Sequence, residues 1–537
     1  MRIYRHRHWQ PLERNASRPD IAQREVLRSI VSANRTTTFG REHGFAEIDS
    51  ARKFRERVGV QHYETLRPYM ERQRRTGASE LTAEAPRFYA QTSGTTGTPK
   101  YIPITEASLA IHRAEQALFS YLQFRACPSA FDGMAMGIMG AAVEGRLDSG
   151  HFVGSVSGHL YASLPRFMQS RFVVPPAVST IADYDLKYRV ILHLALAQPR
   201  ITYIGSPNPS TFLRLLHVLN REREMLLRSL ATGVSSVTAG LDPLLQQLIA
   251  SRMPAMPERA ALLNKLPELT YATVWPDVKL LTTWTGGSCG IALGALRNTL
   301  PDHTLVMELG YQATEVRGTI PLEAETPGGL PPLSHTFFEF VERSAWDRDR
   351  PDYLTVDQLE QGFQYYALIT TAAGLYRYFM NDLVEVTGFF RQTPLLRFVQ
   401  KGKGVTSLTG EKLYEAQVID AVQSELPRCG VIPTFFVMIA DDEKMSYRLL
   451  VEGQDGVPDS SAVGRAVDRR LAELNIEYRA KRDSGRLAPL TLSWLRPGAG
   501  EAYKAAAVSA GQREGQLKPA VLQHRKDLLI PLDGFVA

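Results

Sequence analysis

The sequence predicts an α/β protein with a large multi-sheet N-terminal domain and a smaller α+β C-terminal domain. Between about residues 130 and 335, short apolar strand-like runs alternate with helical stretches, as they do when helices cover a sheet. After Thr387-Gly388-Phe389-Phe390 the composition changes, and Lys401-Gly402-Lys403-Gly404 forms a basic, glycine-containing stretch. A chain of 537 residues is also too long for one ordinary core. The junction is placed between 388 and 402, which gives expected domains at 1–395 and 396–537.

Residues 20–75 read as mainly helical. Ile21 to Val31 mixes apolar and charged residues at helical spacing, Thr36-Thr37-Thr38-Phe39-Gly40 is a break, and a second helical stretch surrounds Ala51 to Val58. Phe88-Tyr89-Ala90 leads into a Gly/Thr-rich run, and the short apolar Tyr101-Ile102-Pro103-Ile104 follows it. Thr105 is placed to cap a helix that reaches about Phe124, with Ser108 in its first turn. The result is strand, loop, strand, helix. Ile138 lies in a small Met-rich apolar run, Ile201 to Gly205 reads as a strand, and Ser210 to Val218 as an apolar helix. Leu280 to Trp284 is a further strand closed by Gly286-Gly287, and Thr304 to Leu309 another. Segments 335–340 and 375–386 are strand-rich. The C-terminal part holds a helix over 411–425, strands near 432–439 and 446–452, and a helix near 461–474. There is no internal repeat.

Composition excludes several function classes. Hydrophobic residues make up 44% and charged residues 22%, the balance of a soluble globular protein. The formal charge of +6, from 62 basic and 56 acidic residues, is too weak a bias to argue for DNA or RNA, and no zinc-finger spacing is present. Cys127, Cys289 and Cys429 are far apart and odd in number, which fits a reducing compartment. The N-terminus, Met-Arg-Ile-Tyr-Arg-His-Arg-His-Trp, is basic but lacks the apolar run of a signal peptide. The apolar window Tyr365 to Leu375 is too short and polar to span a bilayer. A cytoplasmic protein, acting as a monomer with no membrane or nucleic-acid partner, is the expectation.

The chemistry-bearing feature is Thr92-Ser93-Gly94-Thr95-Thr96-Gly97-Thr98-Pro99-Lys100. Glycines let the backbone turn tightly against a ligand, successive N–H groups and hydroxyls bind phosphate oxygens, and Lys100 adds a positive charge at the end of the loop. The spacing is not that of a Walker A loop, because two residues separate Gly94 from Gly97 and the lysine comes three later. Composition alone leaves an ordinary Ser/Thr/Gly surface loop open.

The run resembles the ATP phosphate loop of adenylate-forming enzymes. From about residue 20 to about 525 the whole chain is similar to the auxin-responsive acyl-acid amido synthetase family of plants and its bacterial relatives. Asn34 through Phe45, the loop with Lys100-Tyr101-Ile102-Pro103, Phe337-Phe338-Glu339-Phe340, and Tyr376-Arg377 through Gly388-Phe389 carry the resemblance. It implies an adenylation domain followed by a mobile C-terminal domain. It also implies residue roles. Ser93, Gly94, Thr95, Thr96, Gly97 and Lys100 hold the phosphates. Tyr311-Gln312-Ala313-Thr314-Glu315 matches an aromatic-x-x-Ser/Thr-Glu motif, in which Tyr311 stacks on adenine, Thr314 contacts phosphate and Glu315 helps hold Mg²⁺. Read without the resemblance, Glu315 is first a solvated charge at a helix start.

Gly286, with Gly287, borders the adenine and acyl pocket in the same scheme, while Cys289 has no histidine nearby in sequence to make it a nucleophile. Asp382 takes the ribose hydroxyls. Here the sequence departs from the family's Tyr-Arg-x-Gly-Asp motif, since Tyr378-Phe379-Met380-Asn381 is two residues longer and lacks the glycine. Gly515-Gln516-Leu517-Lys518-Pro519 resembles a C-terminal Gln-Tyr-Lys motif with Leu517 in place of the aromatic, making Lys518 the catalytic lysine alongside Glu315 and Thr95. Lys401, Lys403 and Lys412 read either as a solvated linker or as contacts to pyrophosphate. The stretches Met134 to Gly140 and Gly154 to Gly158 read either as core or as the border of an apolar acyl pocket.

The implied reaction uses ATP and Mg²⁺ to convert a carboxylic acid to an acyl-adenylate, then transfers the acyl group to an amine, that of an amino acid. Coenzyme A or a carrier-protein thiol is the alternative acceptor.

Overall fold

The computed structural model describes the chain apart from residues 1, 93–99, 236, 287–288, 347–350, 403–404, 407, 410, 412, 442, 454–457, 484, 486 and 511–518, and apart from the side chains of 92, 291, 401, 476, 477 and 480.

Strands Met134–Gly137, Ile201–Gly205, Leu280–Thr283 and Leu305–Glu308 form one parallel sheet in that spatial order. The chain crosses between them by helices, among them Tyr184–Leu196, Ser210–Arg221 and Cys289–Arg297. Every residue of Leu280–Thr283 is buried, the burial a parallel strand has when both its faces are covered. The carboxyl ends of all four strands lie at one edge, where ligands of α/β folds bind.

Two further sheets meet this edge. Lys100–Ile104, Phe88–Thr92, Phe152–Gly154 and Gly145–Arg146 form a mixed sheet. Thr336–Glu342, Gln364–Thr371, Tyr378–Phe390 and Thr393–Lys401 form an antiparallel one. Their apolar faces share a core with helices Pro19–Ala33 and Tyr63–Thr76. The expected junction at 395–396 falls inside Thr393–Lys401, which pairs with Tyr378–Phe390 along its length.

A separate core begins at Leu413. Its sheet runs Thr491–Leu495, Ser446–Glu452, Phe435–Asp441, Leu522–His524. Helices Glu415–Arg428 and Ser460–Leu474 cover one face, and Ala499–Ser509 packs on the other. This is an α+β unit, and the helix and strand segments read from sequence in this region lie on four of its elements.

Local chemistry sets the element ends. Thr105 caps helix Glu106–Ala126 reciprocally: its Oγ1 accepts from Ser108 N at 3.1 Å, and Ser108 Oγ accepts from Thr105 N at 2.8 Å. The break at 36–40 contains the cap of a short helix, Thr38–Glu42, with Thr37 accepting from Gly40 N. All three cysteines are free, with Cys127 and Cys289 buried. No helix among the described residues is long and apolar enough to cross a membrane.

Two glycines should respond in opposite directions. Gly310 has φ +88, and a Cβ there would sit 2.4 Å from the Thr319 carbonyl oxygen, so Gly310→Ala should destabilise by about 1–3 kcal/mol. Gly294 lies exposed in helix Cys289–Arg297, with open space where an added methyl would sit, so Gly294→Ala should stabilise by about 0.5–1 kcal/mol. Urea denaturation of the two variants checks both signs.

Candidate active site

Thr92 pairs with Lys100 across the hairpin of Phe88–Thr92 and Lys100–Ile104. The backbone therefore enters and leaves the Gly/Thr-rich run at one point. Ser93, Gly94, Thr95, Thr96 and Gly97 themselves lie outside the described residues, as do Gly287, Lys403, Lys412 and Lys518. Tyr63 braces the exit: its hydroxyl accepts from Tyr101 N at 2.9 Å, and the Lys100 ammonium lies 5.4 Å from its ring centroid.

Tyr311 follows the parallel strand Leu305–Glu308. The turn that carries it needs two glycines. Gly310 adopts its positive φ, and a Cβ on Gly318 would lie 2.1 Å from the Tyr311 ring. Tyr311 N donates to Thr319 Oγ1 at 2.8 Å, and Tyr311 O accepts from Gly318 N and Thr319 N. So fixed, the Tyr311 hydroxyl donates to Asp382 Oδ2 at 2.6 Å. Asp382 is 1% exposed. One face of the Tyr311 ring stacks on Phe398, centroids 5.7 Å apart at 18°. Burial, followed by the Asp382 charge, holds the Tyr311 hydroxyl well above the usual phenol range, so it stays protonated and donating.

Glu315 joins this cluster. Burial raises the Tyr378 hydroxyl, and the charges of Glu315 and Asp382 and the neighbouring Tyr63 add to the rise. The same two carboxylates act on Tyr311. Tyr378 thus shares its surroundings with Glu315, Asp382 and Tyr63. Thr314 and Glu315 are half-buried and line an open pocket. Exposed Gly286 is reached through Phe398, whose carbonyl oxygen would lie 3.7 Å from a Cβ on it.

The irregular stretch before Asp382 has a physical reading. Tyr366 pairs with Leu383 and Leu368 with Phe379, so the single residue Ala367 faces Met380, Asn381 and Asp382. The strand carries two more residues here than its partner does, which makes a bulge. Asn381, where the resembled motif has glycine, takes φ +53. Asparagine tolerates this left-handed conformation better than most residues. Gly402 N donates to Asn381 O at 2.8 Å and closes the bulge. The preceding motif residues serve the scaffold. Tyr376 is fully buried and donates to Leu81 O, and Arg377 pairs with buried Glu339 at 2.9 Å.

Lys100, Gly286, Tyr311, Thr314, Glu315 and Asp382 are therefore brought to one region. Sequence reading missed Tyr63, Tyr378 and Phe398, whose roles come only from tertiary contact. It also gave Glu308 no role. Glu308 ends its strand and accepts from Thr285 N at 2.7 Å and from the Thr285 hydroxyl, holding the turn that carries Gly286; a carboxylate at a parallel strand's carboxyl end was the available signal. The stretches 134–140 and 154–158 meet at Gly140, where an added Cβ would lie 2.7 Å from Ser155 Oγ.

Domain models of one family match the chain in succession: the GH3 family N-terminal domain at residues 9–305, the GH3 family central domain at 330–401 and the GH3 family C-terminal domain at 416–527. The chain belongs to the GH3 family. Among its GH3 relatives, the probable indole-3-acetic acid-amido synthetase GH3.2 of Oryza sativa subsp. japonica is 25% identical, over 93% of this chain and 87% of its own. Indole-3-acetic acid-amido synthetase GH3.3 of Arabidopsis thaliana is 22% identical, over 93% and 88%. The structure of AtGH3.15 acyl acid amido synthetase in complex with 2,4-DB matches with a TM-score of 0.88 at 21% identity, covering 98% of this chain and 96% of that one. The GH3 fold is thus shared over nearly the whole length.

Tyr311→Phe should lower stability by about 1.5–3 kcal/mol, the worth of a hydrogen bond to a charged group, because it removes the Tyr311 hydroxyl from the buried Asp382 carboxylate. The urea midpoint reads this; a shift within about 0.5 kcal/mol of wild type would mean that water replaces the hydroxyl.

Proposed function

We propose that this GH3 protein is an acyl-acid amido synthetase. It activates a carboxylic acid with ATP as an acyl-adenylate and passes the acyl group to the amine of an amino acid. The observation that carries this reading is the convergence of Tyr311, Glu315 and Asp382 beside the Lys100 hairpin, in a chain that matches all three GH3 domains in order.

In the first step a carboxylate oxygen attacks the α-phosphorus of ATP. The new O–P bond forms as the bond to the β-phosphate oxygen breaks, and pyrophosphate leaves. Two anions must meet, so positive charge and N–H donors are the main requirement. Lys100, the loop amides at 94–98 and the Thr95 hydroxyl hold the phosphates, with Ser93, Thr96 and Gly97 completing the loop. Thr314 adds a hydroxyl. Lys518 approaches from the C-terminal domain to neutralise the carboxylate–phosphoryl region. Tyr311 and Asp382 hold the nucleoside, Asp382 accepting from the ribose hydroxyls, while Gly286 keeps the adenine edge open.

Mg²⁺ fits the donor set. Mg²⁺ commonly binds through one or two carboxylates plus substrate phosphates, and half-buried Glu315 offers a hard carboxylate oxygen at the pocket. Glu315 would be that carboxylate, and the ion would supply Lewis-acid polarisation of the phosphates.

In the second step the amine nitrogen attacks the acyl carbon, loses its proton, and AMP leaves. The same adenylation residues would serve a thiol acceptor, so the acceptor is decided by product.

Incubation with ATP, Mg²⁺ and a panel of carboxylic acids should release AMP and pyrophosphate in equal amounts, only with acid present, and adding amino acids should yield the amide. Thioester formation with coenzyme A and no amide would replace the acceptor. ADP release, or no nucleotide turnover with any acid, would overturn the reading. Lys518→Ala should lower adenylation by about 10²-fold or more while ATP binding persists; unchanged turnover would remove Lys518 from the mechanism.

A further inference from the structure

Two buried charges beside the adenylation motif are left half-satisfied. Arg317 follows Glu315 by two residues and is 8% exposed; Glu115, on helix Glu106–Ala126, is 4% exposed. Both line the pocket that Thr314 and Glu315 border, and Ile102 and Ile104 form its apolar wall. The Arg317 guanidinium lies over the Phe119 ring at 4.6 Å. Its terminal nitrogens make only long contacts, Nη1 to Gln116 Oε1 at 3.5 Å and Nη2 to Leu309 O at 3.4 Å. Arg317 Nε and Glu115 Oε2 have no hydrogen-bond partner among the described residues. The nearest basic atom to Glu115 Oε2 is His112 Nδ1 at 3.6 Å.

The two charges influence each other. Burial lowers the Arg317 guanidinium to about 10, and Glu115 opposes the fall, so Arg317 stays charged at neutral pH. Yet they do not close on one another. Elsewhere in the chain Arg189 forks onto Glu222 at 2.7 and 2.9 Å. Leaving a buried donor and a buried acceptor unmet is costly, and a ligand group that meets both recovers the cost.

We propose that Arg317 and Glu115 read a substituent of the acid, a hydroxyl that accepts from Arg317 Nε–H and donates to Glu115 Oε2. The inference rests on the acid-activating function proposed above. Size and charge select the group. The space the pocket offers a water-sized group is about 30 Å³, that of about two waters, since a single water needs about 10–15 Å³. Glu115 repels a second carboxylate and Arg317 repels an ammonium. A methyl group leaves both partners unmet. A neutral hydroxyl satisfies each with one hydrogen bond and leaves the isoleucine wall dry. Glu315 in the same pocket lining places the acid that bears it beside the phosphates.

The test compares matched acids: benzoate, phenylacetate and straight-chain alkanoates against their hydroxylated and methylated counterparts at each ring or chain position, by kcat/KM for acid-dependent AMP release. At least one hydroxylated acid should exceed both its parent and its methyl counterpart by about 10²-fold or more, because a site built to bond a hydroxyl rejects analogues lacking it. Glu115→Gln and Arg317→Met should each bring that ratio toward one, and a thermal melt shows whether the variants fold. The wild-type ratio decides the matter even if they do not. AMP release with no preference for any hydroxylated acid would overturn this inference alone and leave the pair holding buried water. A ratio unchanged in folded variants would remove these two residues from the recognition. No AMP with any acid would overturn the proposed function, and this inference with it.

Discussion

The hydrogen bond from the Tyr311 hydroxyl to Asp382 is the constraint on which the site depends. It joins a residue just past the parallel sheet to a residue on a bulged strand of the antiparallel sheet, 71 positions later. In a buried setting a bond to a carboxylate is strong, and an unmet partner is expensive. Much of the local sequence serves it. Gly310 takes a conformation that other residues adopt at a cost, Gly318 leaves room for the ring, Thr319 fixes the backbone, and Phe398 covers one face. Glu315 lies on the same turn, so positioning Tyr311 also positions this carboxylate, whose charge acts on Tyr311 and Tyr378.

Around that bond, the resembled motifs divide their work. In Tyr376-Arg377-Tyr378-Phe379-Met380-Asn381-Asp382 the first two residues bind the sheet to the N-terminal helices. Tyr376 stacks on Phe39, and Arg377 and Arg55 both pair with the buried carboxylate of Glu339. Asp382 faces the site. The same contrast separates Arg189–Glu222, closed into a fork, from Arg317–Glu115, which line a cavity without closing.

What was legible in the sequence follows from range. Ile201–Gly205, Ser446–Glu452 and the Thr105 cap were readable because strand composition and capping are local signals. Helix Tyr184–Leu196 was not assigned, because residues 190–196 are all buried and give no polar face to set a period. In the site, the residue types and order of Lys100, Tyr311, Glu315 and Asp382 were visible, and so were the two extra residues before Asp382. That the strand bulges there, with Asn381 in a left-handed conformation, depends on strand pairing that no local signal encodes. Tyr63, Phe398 and Arg317 were invisible for the same reason: each reaches the site across a long sequence separation or through burial alone.

The central claim is that Tyr311 and Asp382 act as one unit that holds the nucleoside. Calorimetric titration of a non-hydrolysable acyl-adenylate mimic, with a sulfamoyl link in place of the phosphoanhydride, tests it on wild type, Tyr311→Phe, Asp382→Asn and the double variant. Each single change should weaken binding about 10- to 100-fold, and the double variant should bind about as well as the weaker single, because residues that share one hydrogen bond are coupled. Losses that add fully, or binding unchanged by either substitution, would contradict the account.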